Sequence, residues 1–342
     1  MLHVRLNRNE LGLVLLRNMP LVLLAVVFLS FSLLDHRFFD VQTLVNIARQ
    51  ASYVGILAVG MTFVLLTAGI DLSVGAVAYL AAVLVSELLK HTPLPVVALP
   101  LVMIAIGVGA GMLSGSITAF ARITPFIVTL AGMSIYRGYA LGVSQSREAN
   151  FPIGLTDLGN LPIFGVPLPI VIFMLVVVVA QLVLSRTAYG RQLYAVGQDP
   201  DAATRAGIPT RRVIVSVYVI AGALAGLAAF VAVIQMGTIV PSFGTGDEFD
   251  AIAAAVLGGA SLFGGRGTVF PGTVAGTLLV QMIAVGMVFT QVDLYLTPMI
   301  SAAVIFAAVL LDTLRTRQLA KISKRTIRVE PPSEPVLVTP AR

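Results

Sequence analysis

The chain has 342 residues, of which 58% are hydrophobic and only 11% are charged, and its mean hydropathy is +0.97. A soluble domain carries about 25% charged residues, so the apolar surface exceeds what one soluble core can bury and a lipid bilayer is the matching solvent. The absence of cysteine excludes disulfides and thiolate metal sites, and the net charge of +6, carried by loops beside apolar segments, fits membrane orientation rather than nucleic-acid binding.

A helix that crosses about 30 Å of hydrocarbon needs about 20 mostly apolar residues. Ten segments are candidates, but the second and the eighth are short, so the count is eight to ten. The sequence therefore predicts an all-α, polytopic transmembrane helical bundle. The candidate spans are residues 18–34, 51–67, 73–89, 94–120, 124–143, 166–184, 212–235, 250–263, 268–289 and 294–312.

Lys and Arg are distributed unevenly between the loops on the two sides of these spans. Most of them fall on one side if the N-terminus is cytoplasmic, which predicts an N-in, C-in topology with an even number of spans. The proline-rich tail is expected to be disordered. The predicted parts are a cytoplasmic segment 1–17, a transmembrane domain 18–312 with its longest inner loop at 185–211, and a cytoplasmic tail 313–342.

A carboxylate stands between the second and third candidate spans. Gly69 is expected to permit a tight turn there, and Asp71 or Ser73 to cap the next helix by accepting its free backbone N–H groups. The alternative is a proton or substrate site, because an acid between two spans is costly. No second acid in the sequence is suited to continue a proton relay, so the cap is the favoured interpretation.

The long inner loop contains a short helix with signals at both ends. Asp199 is a suitable N-cap, Pro200 suits the first helical position, and Asp201 interacts favourably with the helix dipole. Gly207 is a natural C-cap. Two interpretations stay open from these residues alone: a capped connector, or a stiff element that fits a socket on a partner protein.

A glycine-rich turn follows the eighth candidate span. Gly259 and Gly264 have the spacing of a phosphate-binding loop, but Gly265 stands where that loop requires Lys. The chain is therefore not expected to bind nucleotide, and a tight inner turn with Arg266 at the headgroup level explains the glycines better. Other glycines recur four residues apart, which predicts close helix packing. These are Gly107, Gly111 and Gly115, then Gly222 and Gly226, and then Gly272 and Gly276.

Together, the three motifs resemble the permease family of ribose-type sugar ABC importers, which includes permeases for xylose, arabinose and galactose. The similarity covers about residues 45–312, and the motifs occur in the expected order. Two positions depart from the family pattern, since Asp199 stands where Asn is usual and Ala68 where Gly is usual. The residues that carry the resemblance are Gly69, Asp71, Leu72, Ser73 and Gly75; Gly197, Asp199, Pro200, Ala202, Ala203, Gly207 and Ile208; and Gly258, Gly259, Gly264, Gly265, Arg266 and Gly267.

The resemblance implies a transport subunit of the bacterial inner membrane that is not itself an enzyme. Its implied partners are a second permease copy, identical or not, a periplasmic sugar-binding protein, and a cytoplasmic ABC ATPase that binds ATP and Mg²⁺. Residues 197–208 would be the ATPase-coupling site, and no cofactor is expected on this chain. The substrate path is implied to follow the dimer interface, with no residues assigned to it.

Other solutes stay open within this class: a nucleoside, a sugar alcohol or a furanose-derived signal. The rival class is an ion-coupled secondary transporter, which needs acids or broken helices around a coupling ion. Asp71 is the candidate acid for that reading.

Overall fold

The computed structural model describes residues 19–92 and 94–291, together with a few isolated positions between 293 and 310. The helices are α1 (Met19–Leu34), α2 (Val41–Leu66), α3 (Val74–His91), α4 (Ala98–Ala121), α5 (Pro125–Ser144), α6 (Gly154–Asn160), α7 (Leu168–Arg186), α8 (Ala188–Gln198), α9 (Pro200–Arg205), α10 (Thr210–Met236), α11 (Asp247–Leu257) and α12 (Val274–Phe289). A 3-10 turn (His36–Phe39) follows α1, and a π-helical turn (Val269–Thr273) precedes α12. Two short antiparallel pairs join β1 (Ala149–Asn150) to β4 (Thr238–Ile239) and β2 (Pro162–Ile163) to β3 (Val166–Pro167).

Seven helical segments in the described part of the chain are long and apolar enough to cross a membrane. They confirm the predicted all-α polytopic fold and correspond to the second to seventh and the ninth candidate spans. The first candidate is the 16-residue helix α1. The tenth candidate, residues 294–312, lies largely outside the described residues, as do the two predicted terminal segments. The seven segments are α2, α3, α4, α5, α7, α10 and Val269–Phe289.

Helix α2 begins at Val41 and has 26 residues, so the prediction of a short second span was wrong. Its first turns are polar, which hides them from a search for apolar segments. These polar groups have partners on other helices: the Gln50 side chain accepts a hydrogen bond from Gln281, and the Arg49 carbonyl accepts one from Gln235, each at 2.9 Å. Interhelical bonds of this kind allow polar residues to extend a helix within a bundle.

The predicted eighth span, residues 250–263, is not a membrane-crossing helix. After β4, residues 240–246 run without helical structure to α11, which has only 11 residues. Such a helix is about 16 Å long, roughly half the thickness of the hydrocarbon layer. Pro241 lacks an N–H donor, and Gly244 and Gly246 have positive φ angles of 74° and 92°, so the sequence interrupts the helix here.

Glycines allow α4 and α10 to pack closely. A Cβ atom added to Gly107 would lie 1.9 Å from the carbonyl oxygen of Gly222, and one added to Gly222 would lie 2.1 Å from that of Gly107. Only glycine permits two backbones to approach in this way, which confirms the predicted packing role of the four-residue spacing. The other predicted glycines make similar contacts: Gly111 with Tyr218, Gly115 with Val215, Gly226 with Met103, Gly272 with Gly258, and Gly276 with Ala254.

The loops separate between the two ends of the bundle as the charge distribution predicts. At one end, hereafter the inner end, the turn after α2 lies against α8 and against the turn between α11 and α12. At the other, the outer end, β1 pairs with β4. Each end thus gathers loops that were assigned to one side of the membrane, while the placement of the inner end in the cytoplasm stays a prediction.

We expect Gly107→Ala to lower the melting temperature of the purified protein in detergent, because its Cβ would meet the Gly222 backbone and overpacking costs about 1–3 kcal/mol. Gly109→Ala is the matched control, since Gly109 is exposed on the same helix and an added Cβ has nothing within 4 Å. Thermal unfolding followed by size-exclusion chromatography measures both. Equal loss of stability in the two variants would contradict the packing role.

Candidate coupling site at the inner end

The short helix predicted in the inner loop is present as α9. The Asp199 carboxylate accepts hydrogen bonds from the backbone N–H groups of Asp201 at 3.0 Å and Ala202 at 2.9 Å, and Pro200 occupies the first helical position. At the other end, Gly207 has a φ of 83°, and the Ile208 N–H donates to the Ala203 carbonyl at 3.0 Å. The predicted caps at both ends are confirmed.

A second helix, α8, precedes α9 and was missed by the sequence analysis, which treated residues 185–198 as loop. The Thr187 side chain caps it by accepting the Gly190 N–H at 3.1 Å. Leu193 and Val196 are buried, so one face packs against the bundle. The signal was available in the three-residue spacing of apolar and small residues from Gly190 to Val196, but the segment is too polar for a search for spans.

The two faces of α9 differ in exposure. Ala203 is 5% exposed and points towards the protein. The opposite face is open and combines one acid, one base and small side chains, which suits a polar protein partner. Its exposed residues are Pro200, Asp201, Ala202, Thr204 and Arg205.

The three sequence motifs meet at Gly197, near the end of α8 and three residues before α9 begins. The Leu66 carbonyl, at the end of α2, accepts the N–H of Gly265 at 2.9 Å. A Cβ atom added to Gly197 would lie 1.7 Å from that carbonyl oxygen and 2.6 Å from the Gly265 nitrogen. Gly264 lies against Ala68 and the Gly197 carbonyl. Residues from three distant parts of the sequence therefore form one backbone junction, hereafter the inner junction.

Tyr194 of α8 adds a side-chain bond to the inner junction. Its hydroxyl donates to the Gly267 carbonyl at 2.8 Å. Burial raises the pKa of Tyr194, so the hydroxyl keeps the proton that it donates. Sequence analysis did not single out this residue, because nothing local to it indicates a partner 73 residues away.

The turn after α2 differs from its predicted form in two details. Ala68, not Gly69, adopts the left-handed conformation, with a φ of 58°. Glycine is the residue that adopts this conformation most readily, which gives a physical reason for the glycine that the resemblance leads us to expect at this position. Gly69 instead leaves room for Tyr218, whose hydroxyl would lie 2.6 Å from an added Cβ.

Asp71 organises the start of α3 from a buried position, where it is 2% exposed. Its carboxylate accepts the Ser73 N–H at 2.9 Å and the Ser73 hydroxyl at 2.6 Å. The acid therefore closes a turn just before α3, whereas the Ser73 side chain forms no cap bond with the first helical turn. Of the other positions in this motif, Leu72 is buried and Gly75 contacts Gly244, far along the sequence.

The glycine-rich turn after α11 owes its shape to backbone conformations that favour glycine. Gly259, Gly264 and Gly265 have φ angles of 93°, 83° and 68°, and side chains at these positions would strain the backbone. Arg266 is exposed, and its carbonyl accepts the Ser261 N–H at 2.9 Å. Gly258 contacts Gly272 closely and joins the turn to α12. The turn thus serves the inner junction through its backbone.

Comparison with known proteins identifies the family of this chain. A family model described as "branched-chain amino acid transport system / permease component" matches residues 43–309. The chain belongs to this family. It is 34% identical over 310 residues to the ribose import permease protein of Haemophilus influenzae, covering 89% of this chain and 95% of that protein.

Other members of the family are similar over comparable lengths. The ribose import permease protein of Escherichia coli K12 is 36% identical over 306 residues, covering 87% of this chain and 94% of that protein. The fructose import permease protein of Rhizobium meliloti is 33% identical over 307 residues, covering 86% and 84%. No solved structure matches the chain significantly. The family match, the similar permeases and the seven apolar helices together show that the protein is a multi-pass permease subunit.

We expect Gly197→Ala to destabilise the inner junction, because the added Cβ meets the Leu66 carbonyl, a backbone atom that cannot rotate away. Hydrogen–deuterium exchange of the protein in detergent should become faster in the turn that contains Gly265. Gly154→Ala is the control, since an added Cβ there has nothing within 4 Å. Unchanged exchange in Gly197→Ala would show that the backbone junction tolerates a side chain.

Proposed function

We propose that this protein is the membrane subunit of an ABC importer that moves a small sugar across the bacterial inner membrane, energised by a separate ATPase. The observation that carries the proposal is similarity over almost the whole chain to permeases named for ribose and fructose import. The ATPase binds ATP and Mg²⁺, a periplasmic binding protein delivers the sugar, and a second permease copy, identical or not, completes the membrane assembly.

In this proposal, α9 is the element that contacts the ATPase. It is exposed on one side, capped at both ends, and located at the end of the bundle that the charge distribution assigns to the cytoplasm. A short capped helix keeps its shape under load, because its terminal backbone groups already have partners. These features favour the partner-binding interpretation of the inner loop over that of a simple connector.

The inner junction supplies a mechanical route from α9 into the membrane. Movement of α9 is passed to α8, and α8 is joined through Gly197 and Tyr194 to the end of α2 and to the turn between α11 and α12. The backbone atoms of the inner junction are closely packed, and closely packed elements transmit a displacement rather than absorb it. The connected elements therefore move as rigid bodies. ATP binding and hydrolysis can therefore shift α2 and the broken α11 segment together.

The choice of solute separates this proposal from its alternatives. Permeases named for ribose, fructose, D-allose and autoinducer 2 are all 30–36% identical to this chain, which supports a small polyhydroxylated solute. The family description instead names branched-chain amino acids. Uptake of labelled ribose, fructose and allose, with leucine as a competitor, distinguishes these classes in proteoliposomes that contain the candidate ATPase and binding protein.

The energy source is tested in the same proteoliposomes. Uptake should require internal ATP and should persist when proton and sodium gradients are collapsed. Uptake that follows an ion gradient without the ATPase would refute the ABC importer assignment. It would favour the ion-coupled secondary transporter, for which Asp71 is the candidate acid.

We expect Ala202→Trp to reduce binding-protein-stimulated ATPase activity and uptake, because the bulky ring would occupy the exposed face of α9. Loss of one well-packed interface contact corresponds to about a tenfold effect. Ala188→Trp is the matched control: Ala188 is also exposed but lies at the far end of α8, about 15 Å along that helix. Co-purification of the ATPase with each variant reports docking directly. Equal effects of both substitutions would argue against α9 as the docking element.

A further inference from the structure

The broken segment between β4 and α11 descends from the outer end deep into the bundle. Two contacts fix its depth. Asp247 accepts a hydrogen bond from the Tyr53 hydroxyl, and Tyr53 lies 12 residues from the outer start of α2, about 18 Å along the helix. Gly244 touches Gly75, which lies 16 residues from the outer end of α3, about 24 Å. The segment therefore reaches the middle of the predicted membrane.

Arg137 of α5 holds this segment in place. Its guanidinium donates to the carbonyl of Pro241 at 3.3 Å and to that of Phe243 at 3.1 Å. The same guanidinium lies over the Tyr79 ring, 5.4 Å from its centroid. Non-helical backbone leaves carbonyls without helical partners, and within a membrane such groups must be satisfied by the protein. A costly intramembrane arginine is explained by this task.

The inward side of the segment is tightly packed. A Cβ atom added to Gly75 would lie 2.2 Å from the Gly244 carbonyl oxygen and 3.1 Å from a Glu248 carboxylate oxygen. The Phe243 ring lies 5.2 Å from the Tyr53 ring, and Phe243 is buried. On this side the segment is therefore in direct contact with α2, through Tyr53, and with α3, through Gly75.

The segment also has exposed residues: the apolar Val240, which is 42% exposed, and two residues with hydroxyl groups on the side opposite to the packed one. Ser242 and Thr245 are both exposed, and the Thr245 N–H donates to the Ser242 carbonyl at 3.1 Å in a tight turn. Hydroxyl groups and non-helical backbone at membrane depth are tolerated only where they are buried in protein or line a water-filled cavity. They do not face hydrocarbon, so this side meets either water or a second protein surface.

We propose that the exposed side of residues 240–246, with Ser242 and Thr245, lines the path of the solute, and that Arg137 is the positioning residue that keeps it in place. This inference rests on the proposed function and names the part of the chain that its substrate meets. The hydroxyls of Ser242 and Thr245 can each donate and accept a hydrogen bond, which suits a polyhydroxylated solute. The half-helix α11, joined to the inner junction, links this surface to the ATPase end.

Single-cysteine labelling tests this path, because the chain has no native cysteine. Ser242→Cys and Thr245→Cys, each in the complete assembly in proteoliposomes, should react with a charged, membrane-impermeant thiol reagent. Val178→Cys is the control, because Val178 is 54% exposed near the middle of α7 on an apolar surface and should meet lipid. We expect both path variants to react at least tenfold faster than the control, the equivalent of about 1.4 kcal/mol in accessibility.

Path variants that react no faster than Val178→Cys would overturn the proposal, since the surface would then be covered by lipid or by a dry contact with the second copy. This readout needs no knowledge of the solute. If the path variants react but the cysteine-free parent takes up no sugar, the assignment of a sugar substrate is wrong, while the assignment of residues 240–246 to a water-accessible path is supported.

The role of Arg137 is tested in the same background. Arg137→Met should slow uptake by about tenfold, as expected for loss of a charge-assisted hydrogen bond, and should alter the labelling rate of Thr245→Cys. Arg137→Lys keeps the charge and places its N–H donors on a single nitrogen, so it should restore part of both. A fall in uptake with an unchanged Thr245→Cys labelling rate would indicate a general folding defect and would contradict the positioning role.

Discussion

Backbone polar groups within a membrane must find partners inside the protein, and the rest of this structure depends on that constraint. Long helices satisfy it along their length, as α2 and α10 do with 26 and 27 residues. Where the chain departs from a helix at membrane depth, a specific donor replaces the missing bonds. Arg137 performs this task for the carbonyls of Pro241 and Phe243. One intramembrane charge therefore permits the broken segment.

The same constraint shapes the inner end. Each turn must bring its chain back without leaving carbonyls unpaired, and the Leu66 carbonyl at the end of α2 is satisfied by the Gly265 N–H from another turn. Glycine at position 197 allows α8 to reach this bond. The result ties the proposed ATPase-binding helix α9 to both the long helix α2 and the half-helix α11. The same backbone contacts of the inner junction thus pack the inner turns together and connect α9 to the membrane helices.

Local signals in the sequence were sufficient for some parts of the site. Asp199, Pro200 and Gly207 predicted the caps of α9, because a cap depends on residues within one turn of each other. Other parts depended on distant residues. The turn after α2 was assigned to Gly69, but Ala68 takes the left-handed conformation and Gly69 accommodates the Tyr218 hydroxyl. Apolar content alone also suggested a short eighth span at residues 250–263, but the helix there has only 11 residues, because the proline and glycines before Asp247 prevent its extension in that direction.

The sequence by itself determined that this is a membrane protein with an all-α polytopic fold, and it also predicted the packing glycines and the capped helix. These features follow from overall composition and from patterns within a few helical turns. Only the tertiary structure decided that three motifs meet at Leu66, Gly197 and Gly265, and that Arg137 lies against the broken segment. These contacts join residues about 70 to 200 positions apart, as in the bonds from Tyr194 to Gly267 and from Tyr53 to Asp247. Pairings at such separations are fixed by how helices pack. A short stretch of sequence can show that a helix packs closely, as the glycine spacing does, but it does not show which helix is the partner.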